Sequence, residues 1–141
     1  MTAWTALVVA ALLQTGAMPA QPMTTIAKGT DSAVESPRQV TARTQAEWAA
    51  LWREHARERP LPDVDFTRDM VVGVFLGTRP TAGFSVDIVG TRQEHGSLVV
   101  EYRETPPGRD RMTAQIITAP YHLVAIPRYT GAVTFHELTK E

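Results

Sequence analysis

The chain has 141 residues, 43% of them hydrophobic and 21% charged, with a formal net charge of −1 and no cysteine. That length suits one domain with a real core, and the missing cysteines exclude disulfides, thiolate chemistry and cysteine-based zinc sites. Without a run of Lys or Arg, the positive field that holds nucleic acid or an anionic membrane surface is absent as well.

The first 20 residues, MTAWTALVVAALLQTGAMPA, contain no charged side chain. Their apolar stretch from Trp4 to Leu13 has the length of a signal-peptide core and is too short to span a bilayer. Thr15 and Ala17 fit the −3 and −1 places of one cleavage site, and Ala20 the last residue of another. The reading is export, with no membrane span after cleavage and an extracytoplasmic destination, periplasmic or secreted. An uncleaved apolar anchor is the alternative, since no Lys or Arg precedes Lys28. Residues 21–37 are polar and punctuated by Pro22, Gly29 and Pro37, and read as a flexible linker with one short strand near TTIAKG. The folded domain is expected over residues 38–141.

After a short β-prone RQVTA, Thr44 and Glu47 form an S/T-x-x-E capping box that opens a helix. Trp48, Leu51, Trp52 and His55 recur at i, i+3, i+4 and i+7 as one apolar stripe, and Pro60 and Pro62 stop the pattern. From Arg68 onward the period changes to 2. MVVGVFLG is apolar on both faces and reads as the centre of a sheet covered on both sides. FSVDIVG and SLVVEYRE each have one wet face and are joined at His95-Gly96, a tight turn that needs positive φ. TAQIITAPYHLVAIP is a further run broken at Pro120, and AVTFHEL closes the chain. Succession favours antiparallel neighbours. The fold class expected is α+β: one amphipathic helix packed on a mostly antiparallel β-sheet or small β-sandwich.

Candidate chemistry is sparse. Ser85 in GFSVD lacks the second glycine and the strand-to-helix turn of a nucleophile elbow. His55, His95, His122 and His136 share no ligand spacing, and Asp63 and Asp65 lack the glycine and closing glutamate of a calcium loop. No metal, cofactor or catalytic set is expected, and the chain reads as a non-enzymatic binding module. In RPTAGFS, Pro80 suits position i+1 of a turn and Gly83 its left-handed residue, whereas Arg79, Thr81 and Phe84 exceed what a turn requires. A rigid tip carrying Arg and an aromatic is the low-entropy projection that protein partners use. Arg109 in PPGRDRM is a second contact candidate.

The segments VDFTRDMVVGVFLGTRPTAGFSVDI (64–88), LVVEYRETPPG (98–108) and ITAPYHLVAIPR (117–128), with AEWAALWREHA upstream, together resemble the PrcB C-terminal-domain family of protease complex subunits. At the loop, Ala82 stands where that pattern has a glycine and Phe84 where it has tyrosine. The resemblance implies an exported accessory or stabilising partner of an extracytoplasmic protease or envelope protein, so the partner class is a protein, with a secreted protease as the candidate. RPTAGFS is also similar to the N-P-T-T-G-Y/F loop of chagasin-like cysteine-protease inhibitors. Pro80, Thr81, Gly83 and Phe84 match, Arg79 and Ala82 do not, and Ala119-Pro120-Tyr121 only loosely echoes a second inhibitory loop. Direct inhibition through residues 79–84 is therefore the alternative function. The contact set expected is Arg79, Pro80, Thr81, Gly83, Phe84, Arg109 and Tyr121.

Overall fold

The computed structural model describes residues 21–139. The expected signal peptide, residues 1–20, lies outside them. The elements in chain order are β1 (Thr24–Gly29), β2 (Arg38–Ala42), α1 (Gln45–Ala56), β3 (Asp69–Phe75), β4 (Ser85–Glu94), β5 (Ser97–Thr105), β6 (Tyr121–Pro127) and β7 (Ala132–Glu137). One sheet runs β1-β6-β3-β2 and the other β4-β5-β7. Among the described residues, one helix with mostly antiparallel sheets is the α+β class that the periodicity predicts.

Helix α1 starts where the capping box places it. Thr44 has extended backbone, and its Oγ1 accepts from the Glu47 N–H at 3.1 Å. The Glu47 carboxylate reaches back to the Arg43 N–H rather than to that of Thr44, so the box is offset by one residue. Trp48, Leu51, Trp52, His55 and Ala56 are buried against Val71, Phe75, Tyr121 and Leu123 of the four-stranded sheet. Each tryptophan also fixes the chain leaving the helix. The Trp52 indole N–H donates to the Arg59 carbonyl and that of Trp48 to the Pro62 carbonyl, both at 2.9 Å. Both polar tips are thereby satisfied inside an apolar layer.

Strand β3 has neighbours on both edges and both faces. Met70, Val72 and Val74 point into a core shared with Val86, Ile88, Leu98, Val100 and Tyr102 of the smaller sheet, and Val71 and Phe75 point toward α1. Gly73 interrupts the helix-side row for a packing reason. A Cβ there would lie 2.3 Å from Leu123 Cδ2 and 3.0 Å from Val40 Cγ2. Gly73→Ala is expected to destabilise the fold by about 1–3 kcal/mol through overpacking, read as a lowered urea midpoint at unchanged m-value.

Three expectations are corrected. Residues 21–37 are built into the fold and are not a flexible linker. β1 pairs with β6 from Thr24↔Ala125 to Gly29↔Tyr121, the Ser32 N–H donates to the Ala119 carbonyl at 3.1 Å, and Val34 is buried. The segment is polar because β1 lies at a sheet edge and its backbone hydrogen bonds need no apolar side chains. Succession also misjudges the end of the chain. β6 crosses to the larger sheet, between β1 and β3, and β7 crosses back to lie parallel to β5. Two crossings restore the original chain direction, which makes that pair parallel. Residues 112–117, finally, belong to no strand, and β6 begins only at Tyr121, after Pro120.

His122 of β6 joins the two sheets. Its Nδ1 accepts from the Ile88 N–H of β4 at 2.8 Å, and its Nε2 lies 2.9 Å from Thr25 Oγ1 of β1. Accepting at Nδ1 leaves the ring proton on Nε2, so the neutral imidazole is the form that fits. Burial, and then the nearby Lys28 charge, hold its pKa below the usual histidine value, with Asp87 acting in the opposite sense.

Candidate functional site

The connection from β3 to β4 and the long irregular connection from β5 to β6 meet at one end of the molecule. Arg79 and Thr118 exchange both backbone hydrogen bonds, at 2.7 and 3.0 Å, and the Ala82 N–H donates to the Ala114 carbonyl at 3.0 Å. Thr118 Oγ1 donates to the Thr81 carbonyl at 2.9 Å. Gly83 has φ 95°, the positive value its place in the turn predicts. A Cβ on it would lie 2.7 Å from Pro107 Cβ and 3.1 Å from Thr113 Cγ2, so glycine also permits the close approach of the two connections. Pro80 is exposed, while Thr81 and Phe84 are half-buried.

Arg79 turns inward. Its Nε and Nη2 bind both Glu104 carboxylate oxygens at 2.8 and 3.0 Å, and its Nη1 donates to the carbonyls of Leu76 and Thr78. The side chains of Arg79 and Glu104 are only 25% and 22% exposed, and the guanidinium carbon sits 6.0 Å from the Phe84 ring centroid. The Glu104 hydrogen bonds raise the Arg79 pKa further. Arg79 therefore stiffens the loop from beneath, and Phe84 packs under it instead of projecting.

Of the other expected contact residues, Arg109 is exposed on the 106–118 connection beside this loop. Tyr121 is a correction. It is 3% exposed at the start of β6, its ring 4.1 Å from that of His55, and its hydroxyl accepts from Arg59 at 3.3 Å. It belongs to the layer under the helix because β6 is an interior strand and Tyr121 points to that side. Sequence reasoning missed the apolar side chains of the long connection. Met112, Ile116 and Ile117 are 103%, 58% and 76% exposed, and the last two stand directly before the Thr118 bridge to Arg79. Pro106, Pro107 and Gly108 ahead of the apolar pair and Pro120 behind it were the signals of an irregular segment.

Elsewhere, Ser85 is a half-buried strand residue paired with Thr105. Asp65 closes a turn, accepting from the Thr67 N–H and hydroxyl at 3.0 and 2.6 Å, and these bonds lower its pKa. Ser32 and His55 form a buried pair that the spacing did not announce, with Ser32 Oγ 2.8 Å from His55 Nδ1. Ser32 Oγ also accepts from the Val34 N–H, and the Ala33 N–H donates to the His55 carbonyl. Burial first and the Arg59 charge second lower the His55 pKa to about 4, with Asp31 opposing. A base that weak is poorly matched to activating a serine at neutral pH, and the pair ties residues 32–34 to the helix. Among the described residues no three His, Asp or Glu side chains gather as a metal set, and no helix is long and apolar enough to cross a membrane.

No protein of curated function and no solved structure matches this chain. A family model does: the one described as PrcB C-terminal matches residues 70–127, from the second residue of β3 to the last of β6. Both connections of the candidate site fall inside that span, and the family points to a subunit associated with a protease complex. The PrcB C-terminal family model thus matches this chain over the segment that builds its sheet centre and its candidate site.

Proposed function

We propose that the protein is an exported, non-enzymatic binding module that acts as an accessory or stabilising partner of an extracytoplasmic protease or envelope protein. Contact is made through the end formed by residues 79–84 and 106–118. One observation carries this reading: three large apolar side chains, Met112, Ile116 and Ile117, stand in solvent on a segment whose backbone is hydrogen-bonded to a stiff neighbouring loop. Exposed apolar groups on a preorganised segment that also carries Arg109 have the composition of a protein interface.

The PrcB C-terminal match supports the class of partner, and the apolar N-terminal stretch supports export. Inhibition by insertion of the 79–84 loop into a protease cleft is the less favoured reading. It requires a projecting aromatic, whereas Phe84 is half-buried beneath the Arg79 guanidinium.

The test is capture from the native extracytoplasmic fraction with the protein and with an Ile116→Asp, Ile117→Asp variant. Both positions are exposed, so the stability of the variant should change by no more than about 0.5 kcal/mol per site. A protease complex retained by the parent and reduced about ten-fold or more by the folded variant is the expected result. Equal retention by both, or no protease retained, would remove the loop end as the contact surface. An assay of the retained protease then separates stabiliser from inhibitor.

A further inference from the structure

The four sheet edges are not equally protected. β1 and β4 carry register shifts, between Thr25 and Ala27 and between Ile88 and Gly90, and the Lys28–Asp87 ion pair joins them across their side of the molecule. Bulges and charges are the devices by which proteins keep an edge from accepting another strand. β2 has neither bulge nor proline. Its five residues pair with β3 in unbroken register from Arg38↔Phe75 to Ala42↔Val71, and among the described residues no strand lies on its other side. In an antiparallel pair alternate residues bond to the partner strand, so the remaining N–H and C=O groups of β2 point outward.

β7 is also an unshifted edge, but β2 has a built wall beside it. A groove of about 420 Å³ runs along all five β2 residues, with Glu47, Ala50, Leu51 and Glu54 of α1 on its far side. These four are spaced i, i+3, i+4 and i+7, one ridge of the helix. Ala50 is exposed and small, which leaves the middle of the groove open between Val40 and the helix. Both charges on the helix wall are carboxylates, and the one guanidinium in the groove, that of Arg38, is paired with Glu54.

We infer that the β2 edge and the α1 ridge form a strand-addition groove for an extended peptide segment of a protein partner, apolar at its centre and basic at its flanks. Main-chain hydrogen bonds to β2 supply the affinity. The space over Ala50 and Val40 takes an apolar side chain, and the excess of carboxylate in the groove, Glu47 and Glu54 against Arg38, favours Lys or Arg beside it. The groove is separate from the loop end proposed above, and either can fail without the other.

The probe is the peptide acetyl-Lys-Val-Thr-Val-Thr-Val-Lys-amide, titrated into isotope-labelled protein and followed by amide NMR and hydrogen exchange. The expected result is saturable shifts concentrated at residues 38–42 and the facing side of α1, with slowed exchange of the outward β2 amides. Ala50→Trp, which fills the groove from an exposed position, should weaken binding about ten-fold while leaving the thermal midpoint in place. A peptide with glutamate in place of both flanking lysines should bind more weakly, and a peptide with proline at its centre should not bind. The inference is overturned by absent or unsaturable shifts, equal binding of the proline peptide, shifts confined to residues 79–84 and 106–118, or β2 amides protected by self-association of the protein instead.

Discussion

Trp48→Ala is expected to lower the unfolding free energy by about 3–5 kcal/mol. Trp48 is fully buried, its ring centroid lies 5.4 Å from that of Trp52, and its indole N–H holds the Pro62 carbonyl. Truncation removes the most buried of the apolar contacts that α1 makes with the four-stranded sheet, leaves a cavity, and releases the chain that leads from the helix into β3. Since domains of this size are stable by only about 5–15 kcal/mol, a marginal parent would not survive the change. Trp48→Phe keeps most of the apolar area and loses only the hydrogen bond, so it should cost about 1–2 kcal/mol. Urea unfolding followed by far-ultraviolet circular dichroism measures both. Equal, small losses for the two variants would mean that the helix layer is not what holds the domain together.

Acid should weaken the fold well above the range where carboxylates titrate. In the folded protein the His55 pKa is lowered to about 4 from an ordinary value of 6.5, because the ring lies among Tyr121, Trp52 and Phe75 near the Arg59 charge. A lowered folded value means that the fold favours the neutral ring. The stabilisation is therefore whole above pH 6.5 and is lost as the pH falls through about 4, in total about 3 kcal/mol. His122 acts in the same direction, since its protonation removes the acceptor for the Ile88 N–H between the sheets. Asp65, whose pKa is lowered from 3.8, contributes stability that is lost only at more acid pH, so the windows separate. Unfolding free energies measured between pH 7.5 and 4 should fall steadily, and His55→Leu should flatten most of that slope. An unchanged slope in His55→Leu would assign the acid sensitivity to other groups.

The parts of the fold legible in the sequence are those set by local rules. The stripe Trp48, Leu51, Trp52 and His55 needs only the helical period, and all four are buried. The two-faced apolar run around Val71 to Phe75 announces a strand with neighbours above and below. His95 and Gly96, at φ 50° and 78°, are the tight turn their residue types require. What was hidden depends on partners distant in the chain. β1 is tied by backbone bonds to β6, about a hundred residues later, and its polar side chains give no sign of that. The parallel pairing of β7 with β5 follows from two crossings between sheets and not from anything in AVTFHEL itself.

The candidate site divides in the same way. Pro80 and Gly83 mark the loop from the sequence alone, because turn geometry is written in residue type. Arg79 and Tyr121, by contrast, read as contact residues until Glu104 and His55 are seen to engage them. Ile116 and Ile117 sit in a β-prone run, and only the late beginning of β6 leaves them in solvent.

The most direct measurement is site-specific photo-crosslinking in the native extracytoplasmic fraction, with a benzoyl-phenylalanine placed at Ile117 in one form of the protein and at Gln93 in another. Gln93 is exposed near the far end of β4, about 25 Å of strand away from the 79–84 loop. A protease-complex subunit crosslinked from position 117 and not from position 93 is the predicted result. Crosslinks of equal yield from both positions, or from position 93 alone, would contradict the loop end as the surface by which this protein binds.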